Sequence, residues 1–311
     1  MRALAEMEAR GHRCTVALYD AYSEDACRHS ATVRNLYPEV GGEIVDARHG
    51  LPDSDLLLAT SWQSAHVIAR STAAGRRCYL VQDFEPWFYP RGTASALAEQ
   101  TYRLGMAGIA IGGWLADLLR SDYGMDAVSF PYACDVAMYD RPEPSTRSGV
   151  VFYTRPRTPR RGYGLGMLAL RLVHEARPEV PMHLFGERTG WSQFPVVEYG
   201  TLAPSAIARL YAGSAVGLAL SMTDVSLTPM EMLAAGLPCV VNDSPWVRAD
   251  LAGAPVTYAS PTPEALAEAL LDHLDRPLDE GRRGVLRQSM RSRTWEHTLG
   301  VVADRLEALV G

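Results

Sequence analysis

Short apolar runs alternate along this chain with longer amphipathic stretches, and that alternation predicts strands and helices in turn, hence parallel sheet. In the first half the runs fall at 14–19, 55–60, 77–81, 108–111 and 128–132. In the second half they fall at 150–154, 182–187, 216–220 and 239–241, with Val197-Glu198-Tyr199-Gly200 between the second and third. Between and after them, helices are expected over 4–10, 62–74, 95–104, 114–122, 165–176, 205–212, 262–274 and 295–310. Leu115, Leu118 and Leu119 give one of these its apolar stripe, and Leu299, Val302, Leu306 and Leu309 do so for the last. The segment 23–50 is polar and without periodicity, apart from a short strand around Val45. In an α/β nucleotide-binding fold the first helix follows a strand and a Gly-rich turn. This chain opens on the helix, so either its first domain lacks the usual central strand or the start is set late.

The proline-rich polar stretch Arg141 to Ser148 is the best boundary in the chain. It divides the sequence into 1–143, 144–290 and a terminal helix over 291–311. A length of 311 residues suits two such domains, and 47% apolar with 21% charged residues suits a folded core. No run is apolar enough for a membrane span, and the charged start is unlike a signal peptide. The five cysteines have no pairing spacing and read as reduced thiols, so a cytoplasmic protein is expected. A net charge of −6 argues against nucleic acid as a partner. Peripheral membrane association and the oligomeric state stay open. Walker loops, G-x-S-x-G elbows and H-E-x-x-H motifs are missing, and the histidines show no ligand spacing, so no metal site is expected. The chain contains no lysine, so any phosphate must be met by arginine forks.

Ligands of parallel sheets sit at the carboxyl ends of the strands, so the loops there carry the candidate chemistry. After the run at 77–81 comes Gln82-Asp83-Phe84-Glu85-Pro86-Trp87-Phe88-Tyr89. Aromatic faces stack on sugar C–H surfaces and carboxylates accept hydroxyl hydrogen bonds, so this loop suits a sugar. It equally suits packing under the following helix. After 150–154 comes an arginine run, Arg155, Arg157, Arg160 and Arg161, which reads as a diphosphate site or an exposed basic turn. After 216–220 comes Asp224-Val225-Ser226-Leu227-Thr228-Pro229-Met230-Glu231, opening a helix that Gly236 and Pro238 stop. Thr228 stands where an N-cap would, so Glu231 reads as a capping-box partner or as a ligand contact.

The Glu231 stretch, with its small-residue helix, Gly236, Pro238 and Val240-Val241, resembles half of a signature in the retaining GT-B glycosyltransferases of family 4. That family is typified by sucrose and glycogen synthases. The loop Gln82 to Pro90, the run Ala98 to Arg103, Gly113 to Ala116 and Cys134-Asp135 are similar to its rhamnosyltransferase branch, which builds rhamnose-containing surface glycans. The resemblance extends from about Asp55 to about Val241. It implies two Rossmann-like domains facing across a cleft, an acceptor-side domain first and a nucleotide-sugar donor domain second, with the terminal helix crossing back. It implies transfer of L-rhamnose from dTDP-rhamnose to a hydroxyl of a glycan or small-molecule acceptor, with retention and without a metal or other cofactor. Arg155 and Arg160 or Arg161 would then meet the diphosphate, Gly186 the base, and Glu231 the ribose. Ser226, Leu227 and Thr228 would offer backbone amides. Asp83, Glu85 and Arg155 would be the catalytic candidates, and Trp62, Gln82, Phe84, Trp87 and Tyr89 would receive the acceptor. The chain departs from the signature eight residues before Glu231. There Thr223 replaces a glutamate that approaches the transferred sugar, and Asp224 beside it is the candidate substitute. Two other readings compete. One is a weak or inactive sugar-nucleotide-binding protein; the other is a nucleotide-sugar epimerase, which would want a partnered histidine.

Overall fold

A computed structural model describes residues 1–19, 26–140 and 146–311. The chain forms two compact units, one of Met1–Phe130 with Glu296–Gly311 and one of Pro131–Trp295. The break falls ahead of the proline-rich stretch, of which residues 141–145 lie outside the described residues.

The first unit begins with α1 (Arg2–Ala9), β1 (Thr15–Leu18), α2 (Ala26–Leu36) and β2 (Glu43–Asp46). It continues with β3 (Leu56–Ala59), α3 (Trp62–Arg70), β4 (Arg76–Val81), α4 (Thr93–Thr101), β5 (Ala107–Ile111), α5 (Gly113–Tyr123) and β6 (Ala127–Phe130). Its strands form two separate parallel sheets, β1-β2 and β3-β4-β5-β6. A doubly wound sheet would place a further strand between β1 and β3. One face of the larger sheet packs Tyr79 and Val81 against Ile68, Leu115 and Leu119 of α3 and α5. The other packs Cys78, Ile109 and Phe130 against Ala3 and Met7 of α1 and Val302 and Leu306 near the chain's end. The helix α2 corrects the expectation of an irregular segment over 23–50.

The second unit runs α6 (Val136–Tyr139), β7 (Val150–Thr154), α7 (Tyr163–Ala176), β8 (Met182–Gly186), β9 (Val197–Gly200), α8 (Pro204–Gly213) and β10 (Val216–Ala219). Then come α9 (Thr228–Ala234), β11 (Cys239–Asn242), α10 (Pro245–Asp250), β12 (Thr257–Ala259), α11 (Pro263–Asp275) and α12 (Glu280–Met290). Its six strands are all parallel, in the order β12-β11-β10-β7-β8-β9. The order runs outward in opposite senses from the pair β7 and β10, so the topological switch point lies between their carboxyl ends. Phe152, Leu184, Leu218 and Val240 on one face meet Leu170 and Val173 of α7 and Leu266 and Leu270 of α11. A last helix, α13 (Trp295–Ala308), carries the chain back into the first unit. Among the described residues, no helix is long and apolar enough to cross a membrane.

Candidate functional site

The second unit assembles its candidate site at the switch point. After β7 the chain turns through Arg155 to Gly162, and after β10 through Ser221 to Leu227. The two loops are tied together. The Met222 N–H donates to the Arg160 carbonyl at 2.7 Å, and the Arg161 guanidinium donates to the Ser221 hydroxyl at 2.9 Å. Asn242, at the end of β11, secures the second loop from below. Its amide accepts the Ser221 N–H at 2.7 Å and donates to the Ser221 carbonyl at 2.9 Å. Asp224 is 2% exposed, and its carboxylate accepts from the Tyr132 hydroxyl at 3.2 Å. That phenol also lies 3.1 Å from the Asp250 carboxylate. Asp224 is therefore held inside the unit, and Thr223 is buried as well.

The arginines divide by role. Arg161 clamps the loop after β10, a structural duty that its place in a basic run does not announce. Arg155 pairs with Glu187 at 3.1 Å, bonds the Tyr153 phenol at 2.9 Å and keeps part of its guanidinium in solvent. Glu187 follows β8 directly, so its carboxylate holds Arg155 across the ends of two neighbouring strands. Beside it, a cavity of about 310 Å³ is lined by Arg157, Gly186, Glu187, Arg188, Gly200 and Thr201. Gly186 has φ +116, and a Cβ there would run into the Thr154 carbonyl, so only glycine lets β8 turn at this wall. Except for Gly186 and the arginine run, these residues are not evident in the sequence. Their one signal is position, just past the ends of β8 and β9.

Helix α9 opens at Thr228, with Leu227 as its N-cap and no side-chain cap bond. The threonine cap and the capping-box reading of Glu231 are both corrected by this geometry. Tyr139, at the end of α6, favours the charged form of Glu231 instead. Burial pushes the Glu231 carboxyl above the usual carboxylate range, and Tyr139 pulls it part of the way back. Glu231 still keeps partial exposure.

The aromatic loop of the first unit follows β4 and splits into an inward and an outward set. Glu85 is 5% exposed, and its carboxylate accepts the Trp62 N–H at 2.7 Å and the Tyr79 hydroxyl at 2.7 Å. The Glu85 N–H in turn donates to the Tyr102 hydroxyl at 3.1 Å. A carboxylate at the first N–H of α3 meets the positive end of the helix dipole. This makes Glu85 a tether for α3, a correction to its expected role beside Asp83 as a reacting carboxylate. Phe84 is buried among Tyr102, Trp114 and Tyr123, so it serves the core and presents no face to an acceptor. Asp83 is buried too. The outward set is Gln82, bonded to the Thr60 carbonyl at 3.3 Å, Trp87 at 42% exposure, and Tyr89, whose hydroxyl accepts from the Trp62 indole at 3.0 Å. Both readings of the loop hold, each for part of it. Among the described residues, no three His, Cys, Asp or Glu side chains are grouped to hold a metal ion.

Residues 45–112 match the family model described as WsaF, N-terminal domain, and residues 148–271 match WsaF, C-terminal domain. The chain is 37% identical over 257 residues to the O-antigen biosynthesis protein RfbC of Myxococcus xanthus, covering 79% of this chain and 20% of that protein. It thus spans about a fifth of that relative's length. Among solved structures, a glycosyltransferase from Rickettsia africae has a TM-score of 0.67 at 10% identity, over 99% of this chain and 93% of that one. A point mutant of S. aureus TarM has a TM-score of 0.64 at 10% identity, over 82% and 55%. Sucrose-phosphate synthase from Thermosynechococcus elongatus has a TM-score of 0.60 at 14% identity, over 91% and 77%. The chain has the GT-B fold of two Rossmann-like units, and it carries in order a segment similar to each WsaF domain.

Proposed function

We propose that this chain is a glycosyltransferase of surface-glycan assembly that takes its sugar from a nucleoside diphosphate. The observation that carries the reading is the pair of cross-tied loops at the switch point of the second unit, with Arg155 and the Glu187 cavity on one side and Glu231 on the other. Three groups that a nucleotide sugar needs are present there: a guanidinium for the diphosphate, an open cavity for the base, and a carboxylate for the ribose. The S. aureus TarM mutant structure holds UDP, and the pneumococcal O-GlcNAc transferase GtfA, with a TM-score of 0.59, holds UDP and GlcNAc. The name of the M. xanthus relative points to O-antigen biosynthesis.

In this reading Arg155, Arg160 and the backbone amides of Ser226 to Thr228 stabilise the charge that builds on the departing diphosphate, and no metal is needed. Trp87, Tyr89 and Gln82 offer the acceptor a stacking face and polar edges, and Asp83 is the remaining carboxylate for its hydroxyl proton. The donor is dTDP-L-rhamnose and transfer proceeds with retention, on the strength of the resemblance. One observation favours a second reading, a protein that binds the donor without transferring it: Thr223 and Asp224 are both turned into the protein where the sugar-facing glutamate would stand.

Calorimetric titration with dTDP-, UDP- and GDP-sugars, followed by turnover assays with NMR readout of the product anomer, tests both readings. Binding of dTDP-rhamnose that Arg155→Ala and Glu231→Ala both abolish, together with a retained anomer in the product, is expected. Tight binding with neither transfer nor donor hydrolysis favours the second reading. Binding of none of the three nucleotide classes overturns both.

A further inference from the structure

Resting on the reading of the Glu187 cavity as the base site, we propose that Arg188 selects the base by the keto group farthest from the ribose. Uracil, thymine and guanine carry that group, whereas cytosine and adenine have an amine in its place. The residue beneath Arg188 places it for this task. Gly200 lines the same cavity at φ +66, and a Cβ built there would stand 3.1 Å from Nε and 3.6 Å from Nη2 of Arg188. The guanidinium therefore lies against a stretch of wall with no side chain of its own, and a residue larger than glycine would push it aside. Among the described residues, no hydrogen bond or ion pair engages that guanidinium. Glu198 feels its charge, but that carboxylate is bonded to the Thr189 N–H at 2.9 Å and to the Thr189 hydroxyl. Arg188 thus brings a fork of N–H donors to the cavity and no acceptor.

The sign of the charge on the wall decides which base edge suits it. Arg157 and Arg188 line the cavity against one carboxylate, Glu187. That carboxylate is paired with a third guanidinium, Arg155, at 3.1 Å, and it also accepts the Arg157 N–H at 3.4 Å. Positive charge is in excess, so a carbonyl oxygen is attracted and an exocyclic amine, itself a donor, is opposed. In a pyrimidine nucleotide the ribose sits on N1, so C4, on the opposite side of the ring, leads into the cavity. Uracil and thymine present O4 there and cytosine an amine; guanine O6 and adenine N6 repeat the contrast. A site that hydrogen-bonds one group discriminates strongly against the analogue that lacks it, because its own polar group is then left unpaired.

The experiment is calorimetric titration of the full chain with UDP and CDP, which differ only in the keto or amino form of the base. The methylated pair, dTDP and 5-methyl-dCDP, is run alongside. Wild type is expected to bind the keto member of each pair about tenfold more tightly or better, the worth of one hydrogen bond to a charged group. Arg188→Met keeps the apolar stem and removes the donors, and it should bring each pair within about threefold. Arg188 is exposed, so this change leaves the fold intact. A wild-type ratio within about threefold, a preference for the amino member, or an unchanged ratio in Arg188→Met overturns the proposal. The last of these, with both members weakened alike, would make Arg188 a partner of the phosphates. Thr201→Trp, which fills the cavity from an exposed position, separates this failure from failure of the underlying reading. If that variant binds UDP as tightly as wild type, the cavity does not hold the base and both fall. If it weakens UDP while wild type binds UDP and CDP alike, the base reading stands and only the role of Arg188 is lost.

Discussion

At the scale of single residues, the site depends on side chains whose work is to hold other groups in place. Asn242 is the clearest case. It is 1% exposed and satisfies both the N–H and the carbonyl of Ser221. Truncation to alanine strands two buried backbone groups, each costing roughly 1–3 kcal/mol. Asn242→Ala is expected to lower stability by about 2–4 kcal/mol in urea denaturation and to weaken nucleotide binding through the loosened loop. Retained stability would show that the loop does not depend on this amide. Glu231 supplies a pH prediction. Because burial raises its pKa, acidification protonates it earlier than an ordinary carboxylate. For the free protein this relieves a buried charge, so that contribution to stability improves as pH falls. Nucleotide binding should go the other way, since the protonated carboxyl accepts a hydroxyl less well. UDP affinity measured from about pH 8 to about pH 5 should fall at a pH above the usual glutamate value near 4.3, and Glu231→Gln should lack that limb. An identical profile in the variant would mean that only the diphosphate titrates.

Among the elements, helix α3 and its tether show how a loop residue can be structural. Ser61 caps α3 by accepting from Ser64 N–H, and Glu85 reaches over from the loop after β4 to take the N–H of Trp62. Glu85→Ala leaves Trp62 N–H and the Tyr79 hydroxyl without this acceptor, so a loss of about 2–4 kcal/mol is expected in urea denaturation. Unaltered stability with abolished transfer would instead restore Glu85 as a reacting group. Helix α7 offers a test of sign. Alanine is a better helix former than glycine by about 1 kcal/mol, yet a Cβ on Gly166 would run into the Phe152 ring, so Gly166→Ala should destabilise. The elements that were legible in the sequence are those whose packing writes a period into it. Apart from β9, the strands of the second unit before β12 are apolar runs, and α5, α11 and α13 carry stripes. The ones missed do not. α2 has only Val33 and Leu36 as large apolar residues, and α12 is charged with two glycines and buries Leu286, Met290 and the stem of Arg283. The candidate site was legible as loops at strand ends, because a parallel sheet places ligands there. What each residue does was not. Whether Arg160 or Arg161 faces a ligand depends on Ser221, sixty positions away, and no local pattern encodes that meeting.

For the molecule as a whole, the question is what fastens α13 to the first unit, and magnitudes decide it. Two kinds of contact compete. Ion pairs join Arg10 to Asp304 at 2.7 Å and to Glu307 at 3.0 Å, His12 to Glu307 at 3.0 Å, and Arg305 to Asp126 at 2.7 Å. Apolar contacts bury Val302 at 2% and Leu306 at 5% exposure against Cys78, Ile109 and Phe130. The ionic partners face water: Asp304 is 73% and Asp126 70% exposed at the side chain, where salt and solvent screen their attraction. The leucine and valine lie in a packed layer, where a shortened side chain leaves a cavity. Leu306→Ala is therefore expected to cost about 2–5 kcal/mol, and Arg10→Ala far less. The damage should stay local, because Leu306 packs in the first unit while Arg155, Glu187 and Glu231 belong to the second. Urea denaturation followed by the tryptophans, with UDP titration of the folded protein, measures both effects. A larger loss from Arg10→Ala than from Leu306→Ala would mean that the ionic network does the fastening, and it should then weaken steeply with added salt. Loss of UDP affinity in Leu306→Ala, at a concentration of urea too low to unfold either unit, would show that the nucleotide site draws on the first unit for its shape.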